Sequence, residues 1–288
     1  MVLTELETRL LEKLAPRLYT AILYEISLHT GILQEIRIRL NQHLAITVQG
    51  KSIQLSTLCT VADLEETLAN LCSNSLYSHS ETIREGYICV EGGIRVGICG
   101  RAVTSEDRIT AVRDIHYICI RIPHRFPGAA DDLFNRLEEE NFQVNALIFG
   151  KPGSGKTTVL RELILKLSEC DSPKKIAVID TRFELTAGLP IKGMVDILSG
   201  YPRHKGILNA VRTLAPEYIV CDEIMTEEDY TAVKNCVGSG VYICASIHGN
   251  PDDIQTRIER IDGLAECFSI YYDAKDSRRL ALEYCDDL

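Results

Sequence analysis

The sequence contains no tryptophan, six phenylalanines and three methionines, and aromatic residues fill only 6% of its 288 positions. Grooves for single-stranded nucleic acid stack bases on aromatic rings, and this chain has few to offer. Positive charge is also in deficit: 31 Lys and Arg stand against 41 Asp and Glu, a formal net charge of −10. An acidic chain is a poor general binder of polyanions, so no nucleic-acid partner is expected. No run approaches the ~18 uncharged apolar residues of a membrane helix. The opening MVLTELETRL carries early glutamates and no basic stretch ahead of an apolar core. No secretory signal is read there, and a cytoplasmic protein without membrane insertion is expected. The 11 cysteines form no CxxC and no Cys/His metal spacing, and Cys99, Cys119, Cys221 and Cys244 lie inside apolar runs. They read as small buried hydrophobes in a reducing compartment.

What is present suffices for about two ordinary domains of roughly 150 residues each. With 45% apolar and 25% charged residues, the chain can repay the ordering entropy of a fold, which excludes a disordered class. Leu3, Leu6, Leu10, Leu11 and Leu14 recur at helical spacing; Pro16 interrupts them, so a second short helix is expected to follow it. QEIRIRL alternates Ile36, Ile38 and Leu40 with Glu35, Arg37 and Arg39, the pattern of a half-buried strand. LAITVQG and SIQL read as further strands, and Leu64, Leu68 and Leu71 mark a helix over 61–73. Two short strands flank Gly92-Gly93, a hairpin signal, and ITAV and YICIRI read as two more strands. Residues 1–125 are therefore expected to form an α+β domain. The linker candidate is PHRFPG, Pro123–Gly128. Beyond it, over 126–288, helices alternate with apolar strands: helix 156–169, strand 176–180, helix 205–214, strand 218–221, helix 227–236, strand 241–246. Strands of this kind belong to an α/β domain whose mainly parallel sheet is covered on both faces.

The strongest chemical signal is Gly150-Lys151-Pro152-Gly153-Ser154-Gly155-Lys156-Thr157, followed by Thr158, between an apolar strand and a helix. It fits G-x-x-x-x-G-K-[ST] at every fixed position. Gly153 and Gly155 let backbone N–H groups converge on phosphate oxygens, and the helix N-terminus adds its positive end. Lys156 would reach the β- and γ-phosphates of ATP, and the Thr157 hydroxyl would bind Mg²⁺. Tyr218–Glu223 is an apolar strand ending in Asp-Glu: Asp222 would hold Mg²⁺ and Glu223 would polarise the attacking water. VYICASIHG ends a strand at Ser246 and His248, at the end of the sheet where nucleotides bind, so His248 is a candidate to sense the γ-phosphate. IAVIDTRFEL ends in Asp180 and Glu184, either of which could approach the metal or the water.

These blocks together resemble the stage III sporulation protein AA family of endospore-forming Firmicutes. The marks are QEIRIRLNQHLAI, EGYICVEGGIRVGICGRAV, FGKPGSGKTTVLREL, and DILSGYPRHKGILNAVRTLAPEYIVCDEI with CASIHG after it, spanning roughly residues 34–249. That family is similar to the secretion-superfamily ATPases of type II and type IV systems, which pair an N-terminal domain with a RecA-like motor and work as hexameric rings. The resemblance implies a RecA-like P-loop domain, ATP hydrolysis and a homo-oligomeric, hexameric ring. It further implies a place in the mother cell, peripheral to the membrane, with the membrane proteins of the stage III sporulation channel complex as partners. Where the family has Asp-Glu-Arg, this chain has Asp180-Thr181-Arg182. Glu223 is then the first choice of base and Glu184 the second.

A P-loop ATPase commonly needs an arginine on the transferred phosphoryl group. The second domain shows no obvious one beyond Arg161 and Arg212, so Arg113 and Arg121, just before the linker, are the candidates to supply it. Lys156 is expected to stand exposed in its loop. Other classes fit less well. A nucleic-acid-dependent ATPase is disfavoured by charge and aromatic content, and a small-molecule kinase finds no Arg-rich lid over 187–206. A non-hydrolysing ATP-binding scaffold would leave the Asp222-Glu223 pair idle.

Overall fold

Hydrophobic period and capping chemistry set the elements of the computed structural model, which describes residues 3–73, 75, 79–90, 94–105, 108–250, 254, 258, 261 and 263–275. The chain divides into two units, Met1–His124 and Arg125–Leu288. In the first, α1 (Glu5–Leu11) starts at a Thr4/Glu7 capping box and α2 (Pro16–Ser27) starts at Pro16. A proline at the first helical position loses no hydrogen bond, so the interruption is the beginning of the second helix. Then come β1 (Leu33–Arg39), β2 (His43–Val48), β3 (Lys51–Leu58), α3 (Val61–Leu71), the short α4 (Ser80–Arg84), β4 (Tyr87–Val90), β5 (Ile94–Ser105) and β6 (Arg108–Arg121). The sheet runs β3-β2-β1-β6-β5-β4, and each neighbouring pair is antiparallel. Ile36, Ile38, Ile46, Val96, Ile118 and Ile120 form one face of it and pack with Leu11, Leu18 and Ile22 of the helices.

Two local expectations change. ITAV and YICIRI are one strand, β6, because pairing with β5 continues through the polar stretch, with bulges at Cys99/Arg101 and Val103/Thr104. A bulge lets a long ladder absorb a register change without breaking. Cys221 and Cys244 are buried as expected, but Cys119 is half-buried and Cys99 exposed. Both lie on the sheet face opposite the apolar one, where alternation turns every second residue outward. Val90 pairs with Ile94, while the Gly92-Gly93 turn lies outside the described residues.

The second unit contains α5 (Asp131–Glu139), β7 (Ala146–Gly150), α6 (Lys156–Glu169), β8 (Ile176–Asp180), β9 (Val195–Ser199), α7 (Arg203–Thr213), β10 (Tyr218–Cys221), α8 (Glu227–Gly238), β11 (Tyr242–His248) and β12 (Ile270–Asp273). Its sheet, β12-β7-β11-β10-β8-β9, is parallel throughout. Alternate residues of one strand enter different cores: Ala177, Ile179 and Ile219 on one face, Ile176, Val178 and Val220 on the other. Burial on both faces is why these strands are uninterrupted apolar runs. β9 escapes sequence detection because it is an edge strand whose Asp196 and Ile197 are exposed. Among the described residues no helix is long and apolar enough to cross a membrane.

Candidate active site

Parallel pairing brings the C-terminal ends of four strands to one edge of the sheet. His248 pairs with Gly150, Cys221 with both Ala245 and Ile179, so the residues that follow β7, β8 and β10 share that edge with the end of β11. The chain leaves β7 at Gly150 and re-enters regular structure at Lys156. Gly155 caps α6 at φ +106°, a conformation costly for any side chain. A Cβ on Gly150 would lie 2.3 Å from Ser154 Oγ, so the loop closes on itself there. Ser154 Oγ is buried and has no hydrogen-bond partner among the described residues. An orphaned hydroxyl in a loop that leads into a helix N-terminus suits a phosphate oxygen. Lys151, Pro152 and Gly153 are exposed on the loop, and Thr157 and Thr158 are half-buried in the first turn of α6.

Lys156 is buried, not exposed as its loop position suggests. Its ammonium folds back over the loop and donates to the carbonyls of Gly150 (2.9 Å) and Lys151 (3.1 Å), with His248 Nδ1 at 3.0 Å. Burial pushes its pKa down, against the opposing charge of Glu223. An ammonium has only protons to give, so His248 Nδ1 accepts. The ring then carries its proton on Nε2 and donates it to Glu223 Oε1 at 2.8 Å. The other carboxylate oxygen, Oε2, lies 2.6 Å from Arg182 Nη1. Lys156, His248, Glu223 and Arg182 thus form one continuous polar chain. Glu223 itself sits at φ +41°, and its N–H donates to Ser246 Oγ at 2.9 Å.

Asp222 is buried and paired. Arg203 Nη2 lies 3.3 Å from its Oδ1, and Arg203 Nη1 lies 3.2 Å from Asp229 Oδ2, at the start of α8. Burial drives the Asp222 pKa up, and the guanidinium pulls against it. Asp180 has another task, and the backbone of Glu184 serves it. The Asp180 carboxylate accepts from the N–H groups of Glu184, Leu185 and Thr186 and from the Thr186 hydroxyl, at 2.7–3.2 Å. Arg161 donates to the carbonyls of Glu184, Leu185 and Ala187, and burial lowers its pKa to about 10. Asp180 is therefore the internal cap of a loop, and Arg161 its brace rather than a phosphate-seeking arginine. Asp180→Ala is expected to destabilise the chain by about 2–4 kcal/mol, since several buried donors lose their acceptor. Urea unfolding checks this, and an unchanged midpoint would refute the capping role.

Sequence reasoning missed Arg182 and Arg203, the two arginines that the fold delivers to the Asp-Glu pair. Arg182 stands in the Asp-x-Arg stretch and Arg203 in the DILSGYPRHKG block, but nothing local shows which carboxylate either reaches: one follows β8, the other opens α7, and only the parallel sheet sets them beside the end of β10. Arg113 and Arg121 lie exposed on β6 in the first unit, Arg121 with its Nε 3.5 Å from Glu35 Oε2.

The family model described as "Sporulation stage III, protein AA" matches residues 6–272. The chain belongs to the stage III sporulation protein AA family. A curated member of this family, the stage III sporulation protein AA of Bacillus subtilis (strain 168), is 33% identical over 227 residues, covering 75% of this chain and 73% of that protein. Outside the sporulation proteins, SEEDLING PLASTID DEVELOPMENT 1 of Arabidopsis thaliana is 28% identical over 156 residues, half of this chain and 22% of its own length. Among solved structures, the Legionella pneumophila ATPase DotB superposes with a TM-score of 0.57 at 17% identity, over 85% of this chain and 70% of DotB. The pilus retraction motor PilT, solved with bound ADP, superposes at 0.59 and 18% identity, over 83% and 69%. This member of the stage III sporulation protein AA family therefore shares its fold with DotB and PilT: an antiparallel-sheet α+β unit followed by a RecA-like, parallel-sheet α/β unit.

Proposed function

We propose that this protein is an ATP-hydrolysing motor of secretion type, which powers assembly of, or transport through, the channel between mother cell and forespore during endospore formation. The observation that carries the reading is the polar chain from the P-loop lysine to the strand-end glutamate, Lys156–His248–Glu223. It joins the group suited to phosphate with the group suited to water. In this reading Gly150 to Thr158 cradle the triphosphate, with Lys156 on the β- and γ-phosphates. Glu223 orients the attacking water and takes its proton, while His248 stands between them and responds to the γ-phosphate. The Thr157 hydroxyl and Asp222 are hard oxygen donors that suit Mg²⁺. An ion held by these two residues would supply positive charge against the phosphates. Likeness of fold to a pilus retraction motor and to DotB supports a motor over a metabolic kinase.

Arg113 and Arg121 are proposed to complete the site from a neighbouring subunit, in a head-to-tail ring of six that sits in the mother cell against the membrane proteins of the channel complex. Specific ATPase activity is then expected to rise with protein concentration. Arg121→Ala is expected to lower turnover at least tenfold, with ATP affinity within about tenfold, because such an arginine acts on the transition state. Arg113→Ala should act in the same direction. Mixing Arg121→Ala with Lys156→Ala protein should restore activity, since some interfaces pair an intact loop with an intact arginine. Concentration-independent activity, or no recovery in rings shown to exchange subunits, would remove the arginine in trans from this scheme.

A further inference from the structure

We infer that Arg182 is a positioning residue for Glu223: its guanidinium and the His248 ring hold the two carboxylate oxygens and so fix the plane in which Glu223 meets water. The inference rests on the ATPase reading and names a residue that reading does not use. The torsion that turns a glutamate carboxylate is broad and roughly two-fold, so a single donor leaves the group free to rotate. Glu223 has two donors, one on each oxygen: His248 Nε2 on Oε1 at 2.8 Å and Arg182 Nη1 on Oε2 at 2.6 Å. Its backbone is held as well, by Ser246 Oγ, at a φ of +41° that is unfavourable for a residue with a side chain. Each oxygen keeps a second lone pair, so a clamped carboxylate can still accept a proton from water.

Arg182 comes from a braced frame. It lies two residues after Asp180, whose carboxylate caps residues 184–186, and Arg161 grips the carbonyls of 184, 185 and 187 from the other side. Stability does not explain the pair. The Arg182 side chain is 45% exposed against 16% for Glu223, and ion pairs open to solvent contribute little to folding. The pair's effect is therefore on the orientation of Glu223.

The test compares Arg182→Ala and Arg182→Lys in the full-length chain, each alone and with Glu223→Gln, by ATP turnover and by equilibrium binding of ATP. Arg182→Ala is expected to lower kcat about ten- to a hundredfold, the scale set by misplacing a reacting group, with the dissociation constant for ATP within threefold or so. Arg182→Lys, which keeps one charged donor, should recover part of the loss. In the Glu223→Gln background, removing Arg182 should cost nothing further, because the group through which it acts is gone. Normal kcat in Arg182→Ala beside an inactive Lys156→Ala overturns this inference alone. A loss that persists undiminished in the Glu223→Gln background overturns it too, by placing the arginine directly on the phosphate. Normal turnover in Lys156→Ala, or none in the unmodified chain at any concentration, overturns the ATPase reading and this inference with it.

Discussion

Lys156→Ala is expected to abolish ATP turnover, by about a thousandfold or more, because preorganised charge on the transferred phosphoryl group is the largest element of phosphoryl-transfer catalysis. The same substitution has a structural cost that an exposed lysine would not have. The ammonium is buried and donates to the carbonyls of Gly150 and Lys151, within reach of His248. Losing charged hydrogen bonds is partly offset by releasing an ammonium that burial already penalises, which leaves a net destabilisation of about 1–2 kcal/mol. The variant should therefore fold, with a slightly lower urea midpoint, and bind ATP poorly. Turnover near that of the unmodified chain in a folded Lys156→Ala protein would falsify the assignment of this loop as the nucleotide site.

Glu223→Gln should bind ATP with nearly normal affinity and lose turnover by about a hundred- to a thousandfold, the scale of a general base removed from the transition state. Two effects combine in it. The amide cannot take the proton of the attacking water. It also cannot keep both donors: its oxygen can still accept from His248, but its NH₂ then faces Arg182, and two donors repel. Glu184→Gln is the control. The Glu184 N–H donates to Asp180 and its carbonyl accepts from Arg161, and these backbone bonds survive the substitution. Glu184→Gln should keep turnover within a few-fold. A dead Glu184→Gln beside an active Glu223→Gln would reverse the assignment of the base.

Much of the second unit was legible in the chain. The strand over 176–180 and the helix over 156–169 have the bounds their patterns imply, because strands buried on both faces must be apolar throughout and a P-loop helix must begin at its lysine. β9 and β12 were not legible: they are the two edge strands of the sheet, each burying few of its residues, and so need no continuous apolar run. In the first unit the alternation of β1 was plain, whereas the length of β6 was not, since its middle is polar and is held by pairing rather than by burial.

The candidate site divides along the same line. Local spacing alone identifies Gly150 to Thr157, Asp222 with Glu223, and His248, because a phosphate loop is made by consecutive backbone atoms and a strand end is marked by where its apolar run stops. Burial of Lys156, the diversion of Asp180 and Arg161 to bracing a loop, and the delivery of Arg182 to Glu223 and Arg203 to Asp222 have no local signature. Apart from the near-neighbour bonds of Asp180 and Lys156 within their own loops, they depend on which strand ends become neighbours in a parallel sheet, where Lys156 meets His248 and Arg182 meets Glu223 from far apart in the chain. Side chains that long and polar carry no periodicity, so their partners are set only when the β8, β10 and β11 strands pair and burial makes each unpaired charge too costly to leave alone.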